Sequence, residues 1–202
     1  MRITAEAKSA TRQRILETAA GLFETAGWHE TTTRGIAEAA GIATGTLFNY
    51  FPSKEAIAAA LVTEGLAEAA AEFGRGHNRR NTLDADLFSL IWSGLRGLRR
   101  YRPFLGQAAE TLFSPLARPS PGSPGDAIRV GHLEAMQSVA STHGFTPVSA
   151  VTVQLYWTLY LGVFAFWAAD ESPGQEDTLA LLDQSLKLFA ASLGNPRKRG
   201  NP

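Results

Sequence analysis

The side chains with binding chemistry to offer crowd into one stretch: Thr33, Arg34, Thr44, Gly45, Thr46, Phe48, Asn49, Tyr50 and Lys54. Four are short hydrogen-bonding groups and two are cations. Such groups suit phosphate oxygens and the base edges of a major groove. No catalytic constellation accompanies them. His29, His77, His132 and His143 are scattered without metal-ligand spacing. No G-x-S-x-G, P-loop or dinucleotide fingerprint occurs. The chain has no cysteine, hence no disulfide framework and no thiolate metal site. A binding protein that is not an enzyme, without metal or cofactor, is the expectation.

The apolar residues between these groups say what holds them. Ile36, Ala37 and Ala40 fall at helical spacing. Gly41 follows where a helix must close and the chain turn sharply. Ile42 plugs the corner, and Leu47 with Phe51 or Tyr50 gives a second helix its apolar face. Ala37 is small where the two helices approach. These intervals describe a helix-turn-helix, with the helix from about Thr44 to Tyr50 as the recognition element. Thr32 or Thr33 caps the first helix and leaves backbone amides able to hold a phosphate. A plain helical hairpin satisfies the same pattern.

The run TTTRGIAEAAGIATGTLFNYFPSKEAI sits behind one amphipathic helix and contains the aromatic cluster Phe48, Tyr50, Phe51 before Pro52-Ser53-Lys54. It resembles the DNA-binding domain of the tetracycline-repressor (TetR) family of transcriptional regulators. The likeness is specific over the first quarter of the chain and architectural beyond it. It implies a homodimer joined through its last two long helices, a recognition helix in the major groove, and a base or phosphate contact from Arg34. It also implies a small effector in the C-terminal bundle and a double-stranded operator with half-sites about 34–36 Å apart. Three positions depart from the usual pattern. Ala43 stands for a capping serine, a loss of about 1 kcal/mol unless Thr44 takes over. Thr44 stands for a lysine, and Phe48 for a tyrosine. The electrostatics then fall to Arg34, Lys54 and the N-terminal arm.

The totals set bounds. At 202 residues, 45% apolar and 19% charged, the chain can bury a substantial core. Its formal charge of zero excludes a broad nucleic-acid sponge but not a local basic edge, which Arg2, Lys8, Arg12 and Arg14 supply against Glu6. Helical signals dominate, so the predicted fold is all-α: a three-helix head over 1–54 and an effector-binding and dimerisation bundle over 55–202. No apolar run follows the N-terminal charges, so no secretory signal is visible and a cytoplasmic location is expected.

In order, residues 1–9 read as a mobile arm. Helix 1 runs from about Ser9 to Ala26, with Ile15, Ala19, Leu22 and Phe23 on one face and Gly27 ending it. Arg12 and Arg14 either reach the DNA backbone or are a solvated helix end. Trp28 packs under the helix-turn-helix. Ser53 caps a long helix to about Phe73, and a polar break follows from Gly74 to Leu83. Further helices are expected over about Asp84–Arg100, Phe104–Phe113 and Asp126–Thr142, with an exposed Pro/Gly-rich loop, PLARPSPGSPG, between the last two.

Residues Gly144 to Ala169 hold no charged side chain. That length allows a membrane span. Thr152, Gln154, Thr158 and Pro147, with Asp170 and Glu171 following, favour a helix buried in a core or against a second subunit. The last helix, about Glu176 to Leu193, repeats leucines at helical steps, and a polar tail ends the chain. Aromatics fill the C-terminal part, and core packing accounts for most of them. A helical bundle can also enclose an apolar ligand; Trp92, Phe104, Gln154, Trp157 and Thr158 are the candidate lining. Two rival readings are a small-molecule-sequestering protein with a weakened DNA-binding head, and an enzyme using the aromatic cavity.

Overall fold

In a computed structural model the described residues are 4–76, 81–113 and 122–193, without the side chains of 72–76. Arg2, the Phe73 side chain, the arginines of the polar break, most of the Pro/Gly-rich loop and the polar tail lie outside them. All regular structure among the described residues is helical, as the periodicity predicts.

Helix α1 spans Ala5–Thr25. It starts ahead of the expected Ser9 because Thr4 caps it, accepting from the Ala7 amide at 3.2 Å, and Ala5 to Ala10 are mostly good helix formers. Gly27, at φ +86, closes it. Helix α2 spans Thr33–Ala39, capped by Thr32, whose hydroxyl accepts from the Gly35 amide at 3.1 Å. Helix α3 spans Thr44–Phe48, shorter than expected. Helix α4 spans Lys54–Gly76, and Ser53 accepts from the Ala56 amide at 3.2 Å.

Helix α5, Leu83–Gly97, stops short of the expected Arg100 and gives way to a 3-10 turn over Arg99–Tyr101. Helix α6, Arg102–Leu112, takes Pro103 in its first turn, where the missing N–H has no partner to lose. Helices α7 (Pro124–Thr142), α8 (Ala150–Ala169) and α9 (Glu176–Ser192) follow.

Two compact units result, residues 1–65 with 100–128, and residues 66–99 with 129–202. The expected boundary after Lys54 falls at the start of α4, and the first unit continues to Gly65. Its core joins Ile15, Leu16, Ala19 and Phe23 of α1 to Ile36, Leu47, Ile57 and Leu61, all buried. Phe104 of α6 completes it, its ring 4.9 Å from Phe23, which lies 5.0 Å from Trp28. Burying each such side chain is worth about 1.5–3 kcal/mol.

In the second unit α5 and α8 pack on α9, around Leu87, Ile91, Tyr156, Val163, Trp167, Leu182 and Phe189. The charge-free run is helical only from Ala150, where Ser149 accepts from the Thr152 amide at 3.1 Å. Helix α8 is long and apolar enough to cross a membrane by length and composition. One side is buried, yet Val151 (80% exposed), Leu155 and Phe166 face outward, as does Leu188 of α9. Asp170 ties the α8–α9 link, accepting from the Ser172 amide at 2.8 Å and the Thr178 amide at 3.0 Å. Hydrogen bonds from Ser172 and then Thr178 hold its carboxyl well below the usual range.

Candidate nucleic-acid interface

The α2–α3 corner is built as its apolar spacing requires. Ile36, Ala37, Ala40, Leu47 and Phe51 are buried, and Ile42 is half-buried between them. Gly41 adopts φ +66, a left-handed conformation that costs an L-residue roughly 1–2 kcal/mol. It lets the Gly41 amide reach Glu38 O at 3.0 Å and the Ile42 amide reach Ala37 O at 3.0 Å. Those bonds fix the angle between the helices.

Outside this core, Arg34, Gly45, Phe48 and Asn49 are exposed, and Thr33, Thr44, Thr46 and Tyr50 are half-buried. Leu47 alone in α3 is buried, so the residues on either side of it are free to meet a partner. Ala43 begins α3 with no side-chain cap, and Thr44 does not replace it. From Gly35 to Ser53 the chain contains no Lys or Arg.

Two cations have structural partners. The Lys54 ammonium donates to the Trp28 carbonyl at 2.6 Å and lies 4.4 Å from that ring's centre. It fastens the α1–α2 connection to the start of α4. Arg12 pairs with Glu64 at 2.7 Å and lies over Phe51 at 5.5 Å, so it joins α1 to α4. Arg14 is exposed. Sequence spacing identified neither tie, because each partner is far along the chain.

Of the five candidate ligand residues, Phe104 lies in the first unit's core and Trp92, Gln154, Trp157 and Thr158 lie in the second unit. Trp92 is half-buried. Gln154 and Thr158 are exposed on α8, where Thr158 donates to Gln154 O at 3.0 Å and Gln154 Oε1 accepts from Arg129 at 3.1 Å. Trp157 is buried, its ring 5.4 Å from Tyr160.

Around Trp157 the fold assembles a cluster that the sequence leaves dispersed. His132 of α7 stacks on Tyr160 at 3.9 Å and shares a hydrogen bond with the Tyr156 hydroxyl at 3.0 Å. Burial lowers the His132 pKa to about 4, so the ring is neutral at pH 7. A second tie holds buried Asp86 between His143 Nε2 and Asn81 Nδ2, each at 2.8 Å. Among the described residues no group of three or more His, Asp or Glu can hold a metal ion.

Residues 15–61 match the family model described as bacterial regulatory proteins, tetR family. The segment is similar to the repressor KstR2 of Rhodococcus jostii (strain RHA1), 48% identical over 50 residues, covering 25% of this chain and 24% of that protein. With the repressor KstR of the same organism it shares 31% identity over 111 residues, 55% of this chain and 51% of that one. The matched segments thus span 24% to 51% of these curated relatives' lengths. Across nearly its whole length the chain superposes on Thermus thermophilus FadR, a TetR-family transcriptional repressor solved with lauroyl-CoA. There the TM-score is 0.63 at 26% identity, covering 95% of this chain and 98% of that one. Residues 15–61 thus match the regulatory domain of the tetR family of bacterial regulatory proteins, and the chain as a whole resembles a repressor of that family in fold.

Proposed function

We propose that the protein is a sequence-specific DNA-binding transcriptional regulator, a homodimeric repressor that leaves its operator when a small, mostly apolar ligand binds. The observation that carries this reading is the α2–α3 corner: a buried apolar wedge, a left-handed Gly41, and an outer surface of hydroxyl, amide, aromatic and guanidinium groups. Thr33, Arg34, Thr44, Gly45, Thr46, Phe48, Asn49 and Tyr50 are the proposed contacts. Lys54 adds a phosphate contact through the N–H groups not given to Trp28.

Dimerisation through α8 and α9 is supported by the apolar side chains these helices leave exposed, Val151, Leu155, Phe166 and Leu188. A second copy covering this face accounts for α8 better than lipid does, because Gln154 and Thr158 are exposed along it and Asp170 and Glu171 follow it. The reading places the protein in the cytoplasm. The lauroyl-CoA bound to Thermus thermophilus FadR and the aromatic wall around Trp157 support an apolar effector here. Release requires the ligand to bind more tightly to the dimer in which the heads no longer match the operator.

A sequestering protein with a weakened head is the second reading. It is favoured by the uncapped, cation-free α3 and by the partners already held by Arg12 and Lys54. Selection of binding sites from a random-sequence DNA pool by the full-length protein separates the two. A regulator enriches a two-fold symmetric motif; a sequestering protein enriches none.

A further inference from the structure

We infer that α3 selects A·T base pairs, with the Phe48 ring and the Thr46 methyl group reading thymine methyls in the major groove. The inference rests on the regulator reading above and concerns the base pairs beneath this helix. Between Ala43 and Tyr50 the chain has no Arg, Lys, Asp or Glu. The strongest reader of guanine, a bidentate Arg or Lys, and the carboxylate reader of cytosine are therefore both absent from the helix. What α3 and its flanks offer is methyl groups on Ala43, Thr44 and Thr46, the Phe48 ring, hydroxyls, and the Asn49 amide. Thymine presents a methyl and an acceptor in the major groove, and adenine presents the donor–acceptor pair that an Asn amide matches.

Phe48 is 48% exposed next to fully buried Leu47. Among the described residues it is the one exposed large hydrophobic of the first unit; Val130, Val151, Leu155, Phe166 and Leu188 all belong to the second. Folding of the head gains little from leaving this ring in water. A thymine methyl in the groove gives it an apolar partner, and the half-buried Thr46, two residues earlier, offers a second methyl group.

The test begins with the motif that the full-length protein selects from random DNA. Each thymine of one half-site is replaced by deoxyuridine, which removes the methyl group alone, and the dissociation constant is measured by fluorescence anisotropy. At one or more positions under α3, uracil weakens binding about fourfold, the value of one buried methyl group. Phe48→Ala, whose folding is checked by thermal unfolding, binds thymine and uracil duplexes equally at that position. Thr46→Ser keeps the hydroxyl and shows a smaller uracil effect than the wild type.

Three results overturn the inference while leaving the regulator reading intact. One is a selected motif with G·C pairs beneath α3. Another is tolerance of uracil at every position. The third is a Phe48→Ala defect that is the same on thymine and uracil duplexes, which indicates that the ring packs on deoxyribose. Failure to select any motif removes both the inference and the reading beneath it.

Discussion

Acidification should destabilise the protein through the buried His132 ring. In the folded chain this ring is sandwiched against Tyr160 and bonded to Tyr156, and burial lowers its pKa from 6.5 to about 4. The unfolded chain therefore takes up a proton that the folded chain refuses. The stability held by the neutral ring is complete above about pH 6.5 and is lost as the pH falls towards 4. At about 1.4 kcal/mol per pH unit, the loss reaches about 2 kcal/mol by pH 5 and about 3 kcal/mol by pH 4. The perturbation is His132→Gln, which cannot titrate but can still bond to the Tyr156 hydroxyl. Urea unfolding at fixed protein concentration, followed by tryptophan fluorescence from pH 8 to 5, gives both stability curves. His29, His77 and His143 are common to both proteins and cancel in the difference. The gap between wild type and variant should be constant near pH 8 and close by about 2 kcal/mol by pH 5. A gap constant throughout would show that His132 is protonated equally in both states, and the buried neutral cluster would be refuted.

Three further perturbations address the head and the proposed dimer. Lys54→Met removes the bond to the Trp28 carbonyl and the contact with its ring, and should lower stability by about 1.5–3 kcal/mol in urea unfolding; an unchanged stability would mean the ammonium is free for DNA. A Cβ at Gly45 meets nothing within 4 Å, so Gly45→Ala should stabilise α3 by up to about 1 kcal/mol. The same change should weaken DNA binding in an anisotropy titration if Gly45 is the proposed contact, because the added methyl group then meets the DNA. Phe166→Asp with Leu188→Asp places charges where two exposed apolar side chains stand (43% and 66% exposed); sedimentation velocity should show a monomer of wild-type helicity with lost operator binding.

The head was legible because its information is local. Apolar spacing, the turn glycine and the capping Thr32 all act within a few residues, and the structure places Ile36, Ala37, Gly41 and Leu47 as that spacing requires. The roles of Lys54, Arg12 and His132 were not legible. Each depends on a partner distant in sequence, Trp28, Glu64 and Tyr156 respectively. Phe104 shows the same limit. Its type suggests a ligand wall, and its packing partner Phe23, brought to it where α6 lies against α1, could not be read from the sequence. Helix α8 carries apolar residues all round, with few polar ones among them, so its periodicity gives little indication of which face is buried; packing on α9 decides that.

The measurement that bears most directly on the account is fluorescence anisotropy with DNA from upstream of the protein's own gene, across a salt series and against scrambled DNA. The account predicts saturable binding at nanomolar dimer, at least about a thousandfold tighter than to scrambled DNA, and a log–log decline with salt set by a small number of phosphate contacts. Binding equal to that of scrambled DNA at every salt concentration, for this DNA and for the product of random-sequence selection alike, would contradict it.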